Sequence, residues 1–343
     1  MRRAFSSIVG NKTLCARLTH AINDNTLSHA YIIEGGAGSG KHTVALQTIA
    51  ALSCSERHSE SSDIPCRKCI NCRKILEGRS TDVIRIGLEG DKVSIGVEAI
   101  RFLKSDIYLP PTDLSVKAYI IDCADAMTGQ AQNAFLLSLE EPPEYVLFFL
   151  ICENSSALLE TVKSRAPILR TEKIPQVEIE KYILENDRRA VQLKESSPED
   201  FAELVCASDG RIGYAISLLD TKKRKQIFEN RKIAKDFINL ASGKLNKDKL
   251  ELVFSLGTKR GEICDRLSYI QSALRDLMLL KKSDDAPLCF YADREQACEL
   301  STHFTSKKLL TLFEATERAI DDLSRNSNVR LTTVNMLKNS ELI

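Results

Sequence analysis

Ala30-Tyr31-Ile32-Ile33-Glu34-Gly35-Gly36-Ala37-Gly38-Ser39-Gly40-Lys41-His42-Thr43 carries the chain from an apolar run, through a glycine-rich turn, into a helical pattern. Ala30 to Glu34 reads as a strand, and Thr43 to Leu52 as a helix. Between them, Gly35 to Lys41 fits G-x-x-x-x-G-K in the strand, loop, helix setting where that spacing forms a phosphate loop. Glycines let backbone amides wrap around phosphate oxygens, and the following helix turns its positive end toward them. The lysine reaches the β and γ positions. A glycine-rich turn with an incidental lysine is the competing reading, and the flanking elements disfavour it. The expected nucleotide site is Gly35, Gly38, Gly40, Lys41 and Thr43, with ATP or ADP as its ligand.

Outward from the loop, further apolar runs at Val83 to Ile86, Ala118 to Asp122 and Val146 to Cys152 each end in a polar or glycine-rich turn. Helical patterns lie between them, such as Thr128 to Glu140 with Ala131, Ala134, Phe135 and Leu139 on one face. This alternation predicts a largely parallel α/β sheet. After about Arg170 the strand runs stop. Ile263, Leu267, Ile270, Leu274 and Leu277 then form one stripe, and Leu309, Phe313, Ile320 and Leu323 another. Packed core is the expected role of both. The chain is therefore divided into an α/β domain over 1–172, a short helical domain over 173–223 and a helical domain over 224–343.

Composition restricts the function. Forty-eight basic and 47 acidic residues leave a net charge of +1, so no bulk charge drives the chain onto nucleic acid or a membrane surface. With 43% hydrophobic and 28% charged residues it has the means to bury substantial cores and carries no disordered signature. Met1 to Gly10 lacks the apolar core of a signal peptide, and no apolar run is long enough to span a bilayer. A cytoplasmic location without a membrane partner is expected.

Four of the eleven cysteines, Cys54, Cys66, Cys69 and Cys72, stand as C-x11-C-x2-C-x2-C just after the helix that follows the phosphate loop. Four thiolates suit a closed tetrahedral Zn²⁺ site, and two-residue gaps let a tight turn bring successive sulfurs to one ion. A structural zinc is expected, with disulfides or reactive thiols as the alternatives. Cys15, Cys123, Cys152, Cys206, Cys264, Cys289 and Cys298 are scattered and read as small hydrophobes.

Two substitutions weaken the nucleotide site as an ATPase. His42 follows Lys41 where the motif has Ser or Thr, so the small hydroxyl that ligates Mg²⁺ is missing and Mg²⁺ would be poorly held. Ala118-Tyr119-Ile120-Ile121-Asp122-Cys123 is an apolar strand ending in an acid, the form of a Walker B element. Asp122 would lie near the loop, at the end of the sheet where such folds place ligands. The next residue is Cys123, where an active enzyme carries a Glu that orients the attacking water. A plain polar strand end is the other reading of Asp122.

Phe5-Ser6-Ser7-Ile8-Val9-Gly10-Asn11 and Ser28-His29-Ala30-Tyr31 precede the loop. Asp125-Ala126-Met127-Thr128 and the segment Asn133 to Pro143, ending L-E-E-P-P, follow the Walker B strand. Ser164-Arg165-Ala166 comes next, close to an S-R-C motif with Ala166 in place of the Cys. Together these resemble the AAA+ clamp-loader family of bacterial DNA polymerase III over nearly the whole chain. The resemblance implies a P-loop, RecA-like AAA+ domain with a zinc insertion, a helical lid and an all-helical collar. It implies a pentameric ring with gamma/tau and delta subunits that acts on a sliding clamp and primer-template DNA.

It also implies that Arg165 acts in trans, as an arginine finger on the nucleotide of a neighbouring gamma/tau ATPase. A permanent charge on a planar fork suits that task. Cys152 falls where active relatives sense the γ-phosphate. Arg211, in Gly210-Arg211-Ile212-Gly213-Tyr214-Ala215, lies near the sensor-two arginine, and Asn326 to Leu331 is similar to the collar's closing segment. Two function classes follow: a non-motor ring subunit without its own ATPase, and an active motor subunit of the gamma/tau type. His42, Cys123 and Cys152 favour the first.

Overall fold

The apolar runs become strands because both faces of the sheet are covered. β1 (Ala30–Glu34), β2 (Val83–Ile86), β3 (Lys117–Ile121), β4 (Val146–Cys152) and β5 (Ile168–Arg170) form one all-parallel sheet in the order β2-β3-β4-β1-β5. In this computed structural model, residues 4–59, 63–88, 90, 92–244, 256–325 and 327–340 are described. Every residue of β4 is buried, with Phe148 and Leu150 on one face and Leu147, Phe149 and Ile151 on the other. A strand buried on both sides loses the alternation of an exposed sheet and reads as a continuous apolar run. The four strands expected from sequence are present. β5 is additional: at three residues it is too short for periodicity, and its pairing with β1, Ile32 opposite Ile168, gives it its place.

On one face pack α1 (Lys12–Asn23), α2 (Lys41–Leu52) and α3 (Ile70–Leu76), burying Leu14, Leu18, Ile49 and Ile75. On the other pack α4 (Val97–Asp106) and α5 (Gly129–Glu140), burying Ile100, Leu103, Phe135 and Leu139. α5 starts where its cap dictates, since the Thr128 hydroxyl accepts the N–H of Ala131. A single turn, α6 (Glu160–Lys163), leads into β5.

The described residues form two compact units: Met1–Glu178 with Arg211–Tyr214, and Ile179–Gly210 with Ala215–Ile343. The first holds the sheet. The second is helical, with α8 (Arg188–Ser196), α9 (Pro198–Ala207), α11 (Thr221–Ala241), α12 (Arg260–Leu280), α13 (Arg294–Thr302), α14 (Ser306–Ser324) and α15 (Val329–Asn339), while α7 (Gln176–Asn186) and α10 (Ile212–Leu218) start on residues of the first unit and end on residues of the second. The stripe Ile263, Leu267, Ile270, Leu274 and Leu277 is buried along α12. Leu309 and Leu323 of α14 join the same core, with Phe313 and Ile320 at its margin. Asn326, the first residue of the expected closing segment, lies outside the described residues. Among the described residues no helix is long and apolar enough to cross a membrane.

Candidate nucleotide and metal sites

The phosphate loop joins β1 to α2 at the carboxyl end of the parallel strands, with Gly40 as the N-terminal cap of α2. Gly38 has φ +78, and a β-carbon there would lie 2.3 Å from the backbone nitrogen of Tyr214. Only glycine allows that approach. It brings Gly213 N–H onto the Gly38 carbonyl at 2.9 Å. Asn11 ties the loop from behind: its amide nitrogen donates to Ser39 O at 3.2 Å, and its amide oxygen accepts Glu172 N–H at 2.7 Å. This gives the Asn11 of the N-terminal segment a physical task.

Lys41 is buried and curls back on the loop, its ammonium donating to the carbonyls of Gly35 and Gly36. Burial lowers its pKa against the opposing pull of Glu153 and Asp125. α2 carries no acid of its own in its first turn. Thr43 is exposed on that turn. Arg211 also reaches the loop, its Nη1 3.5 Å from Ala37 O and its guanidinium 4.5 Å from the Tyr214 ring centre. A β-carbon on Gly36 would meet that guanidinium at 2.9 Å. The arrangement, backbone amides at a helix start with two cations, suits a polyphosphate.

Asp122 follows β3 directly and faces His42, with His42 Nδ1 3.2 Å from Asp122 Oδ1. The two are not aligned as a hydrogen bond, and Asp122 Oδ1 is a buried acceptor without one. Burial lowers the imidazole pKa, helped by Arg85 and Lys41 and opposed by Asp122. Burial also raises the Asp122 carboxyl pKa, against the opposing effect of His42 and Arg85. Cys123 is exposed with φ +53, and burial with the Asp125 carboxylate still raises its thiol pKa. Cys152 is buried at the end of β4, and burial with Asp125 and Glu34 pushes its thiol up to about 12. Neither is a base or a strong hydrogen-bond donor at neutral pH. The residues present therefore fit a nucleotide's phosphates and do not fit the Mg²⁺ that would accompany them in an active site.

Cys54, Cys66, Cys69 and Cys72 offer sulfurs that all lie within 4.8 Å of one another, and among the described residues they are the group of three or more ligands able to hold a metal. Backbone amides already point at three of them. Cys66 N–H donates to Cys54 Sγ at 3.4 Å, Cys69 N–H to Cys66 Sγ at 3.3 Å and Cys72 N–H to Cys69 Sγ at 3.5 Å. Such donors favour thiolates over thiols. At Cys69 burial pushes the thiol up, but the Cys72 amide and Ser55 outweigh it and bring the value down to about 6. Cys72, fully buried, is pushed up, chiefly by burial. The four fit a closed thiolate metal site.

Arg165 lies just after α6, on the same unit. Its Nη2 donates to Glu140 Oε1 at 2.7 Å, and its Nη1 donates to Thr161 O at 3.0 Å and Ser164 Oγ at 3.3 Å. Glu140 belongs to the L-E-E-P-P segment, so the two motifs singled out in the sequence meet in space.

Sequence reasoning missed the buried polar centre of the helical unit. Arg231 donates Nε to Glu203 Oε1 at 2.6 Å, and Lys235 donates to Glu203 Oε2 at 2.9 Å. Asp276 Oδ2 accepts the backbone N–H groups of Cys289, Phe290 and Tyr291 at 2.9, 2.7 and 3.3 Å. Asp276 lies well off the apolar stripe of α12, so the periodicity that marks the stripe gives no signal for its burial.

Residues 10–175 match the family model described as DNA polymerase III, delta subunit. Over 220 residues the chain is 30% identical to DNA polymerase III subunit gamma of Buchnera aphidicola subsp. Acyrthosiphon pisum (strain APS), covering 63% of this chain and 58% of that protein. It is 32% identical over 217 residues to subunit tau of Bacillus subtilis (strain 168), covering 63% of this chain and 37% of the relative. With subunit delta' of the same organism it shares 34% over 170 residues, half of each chain. The matched region thus spans between about a third and three fifths of these relatives. Among solved structures, a gamma-subunit-related protein of Thermotoga maritima superposes with a TM-score of 0.42 at 20% identity, covering 94% of this chain and 98% of that one.

Proposed function

We propose that this chain, whose sequence similarities support a member of the DNA polymerase III clamp-loader family, is the non-motor delta-prime subunit of that assembly. The observation that carries the proposal is the uneven state of the nucleotide site. The phosphate loop, Lys41 and Asp122 stand together at one end of the sheet, while by sequence His42, Cys123 and Cys152 fall at the positions of metal ligand, water-orienting acid and γ-phosphate sensor. Catalysis in such sites is positioning plus charge stabilisation, so losing these parts costs several orders of magnitude in rate. In this reading Gly35, Gly38, Gly40, Lys41, Thr43 and Asp122 form a degenerate nucleotide site, which Arg211 joins. Arg165 completes the site of an adjacent gamma/tau ATPase in a pentameric ring that loads the sliding clamp onto primed DNA in the cytoplasm.

The helical segments then have separate tasks, 173–223 as a lid and 224–343 as a collar holding the ring. Leu310 on α14 and Leu331 and Val334 on α15 are exposed apolar side chains that a collar contact would cover. The four-cysteine site is proposed to hold structural zinc, and elemental analysis of the purified chain should find about one zinc per chain. A fully folded, metal-free native protein would refute that site.

The similarity to gamma and tau subunits favours a second reading, an active motor of that type. ATP turnover decides between them. Purified alone, the chain is expected to show negligible turnover. Robust turnover abolished by Lys41→Ala would establish the motor reading and remove the non-motor one. Reconstitution with candidate gamma, delta and clamp partners, comparing clamp loading with and without this chain, tests the assembly itself.

A further inference from the structure

Magnesium demands oxygen ligands in a near-ideal octahedron and is poorly served by imidazole, whereas first-row divalent transition ions bind nitrogen ligands with affinity that rises from Mn²⁺ to Cu²⁺ and falls again at Zn²⁺. At the loop's cation position the chain presents one nitrogen and one oxygen, His42 Nδ1 and Asp122 Oδ1, 3.2 Å apart. Both side chains are partly accessible, at 48% and 28%, yet the carboxylate oxygen itself is buried and accepts no hydrogen bond. Two ligand atoms each about 2.1 Å from one ion, set at this separation, subtend about 100° at the ion, between the octahedral cis and tetrahedral angles.

We propose that His42 and Asp122 form a two-ligand cation site that takes a first-row divalent transition ion, Mn²⁺ included, in preference to Mg²⁺. Phosphate oxygens of a nucleoside diphosphate or triphosphate in the loop, together with water, complete the coordination. The inference rests on the reading of the loop as a nucleotide site. It also carries a condition: Arg85 and Lys41 both act on His42 electrostatically, so a bare cation is repelled there and is held only together with the phosphates. His42→Ser restores the hydroxyl that Mg²⁺ uses. Because the ring is half exposed, that change removes no core packing.

The test uses the intact chain with its cysteine site metal-loaded and a fluorescent ADP as probe. Nucleotide affinity is measured without added divalent ion, with Mg²⁺ and with Mn²⁺, and free Mn²⁺ is followed by its electron paramagnetic resonance signal. Mn²⁺, a poor competitor for thiolates, leaves the cysteine site occupied. The expected result is at least about tenfold tighter ADP binding with Mn²⁺ than with Mg²⁺, with protein uptake of Mn²⁺ beyond that of ADP alone only when nucleotide is present. In His42→Ser the Mn²⁺ advantage should vanish. Equal affinity in Mg²⁺ and Mn²⁺, with binding still blocked by Lys41→Ala, overturns the cation site and leaves the nucleotide site standing. No ADP binding under any condition overturns both.

Discussion

At the scale of single residues the most informative pair is Arg165 with Glu140. Arg165 already spends its fork within its own chain, on Glu140, Thr161 O and Ser164 Oγ. In the proposed ring, a neighbour's γ-phosphate would compete with this carboxylate for the guanidinium. With side chains 35% and 45% exposed, the pair is a surface ion pair worth at most about 1 kcal/mol. A phosphate of higher charge displaces it at little cost. Arg165→Ala is accordingly expected to lower ATP turnover at the one neighbouring site it would complete by about 10³-fold or more. Glu140→Gln should change it by no more than about fivefold. Steady-state ATPase of the two reconstituted variants checks this, and equal losses would transfer the role from the arginine to the ion pair. The phosphate loop and the four cysteines stood out as spaced motifs, whereas Arg165 was singled out only by the family resemblance. The Glu140 contact was not legible, since the two residues are 25 positions apart and nothing in either segment encodes their meeting.

At the scale of elements, the strands were legible where burial on both faces made them continuous apolar runs. β5 escaped because pairing with β1, and not its own three residues, defines it. The same limit hid the link between α9 and α11. Glu203 and Arg231 lie on helices whose sequences read as ordinary amphipathic stretches, and a charged residue there reads as solvated until the fold buries it. Arg231 is 3% exposed and also lies over the Phe290 ring, so removing its partner strands a buried charge. Glu203→Gln is expected to cost about 3 kcal/mol of stability at neutral pH, measured by urea unfolding. Burial pushes the Glu203 carboxyl up, but Arg231 and Lys235 outweigh it and hold its pKa below the ordinary value. A depressed acid stabilises the fold above its unfolded pKa and loses that contribution as pH falls through its folded one. The gap between wild type and variant should therefore be full near pH 7 and should shrink below the ordinary glutamate range.

At the scale of the whole molecule, the chain builds two units with separate cores and supports each with a different polar device. In the sheet unit the device is the cysteine cluster. Cys54 lies two residues beyond the end of α2, and Cys69 caps α3, so a metal held there would tie together two helices that pack on the sheet. In the helical unit it is Asp276 on α12, whose carboxylate gathers three consecutive backbone N–H groups of the segment before α13. Replacing it by alanine leaves those donors unsatisfied in a buried place, at a cost of about 1–3 kcal/mol for each that water does not reach. Two perturbations of distinct cores should leave distinct imprints. Chelation of the metal is expected to speed amide hydrogen exchange over α2 and α3 while α12 and α13 keep their protection, and Asp276→Ala should do the reverse. The experiment reads the architecture independently of any activity. If each perturbation instead loosened all four helices together, the two cores would unfold as one cooperative body, and the division into separately stabilised units would fail.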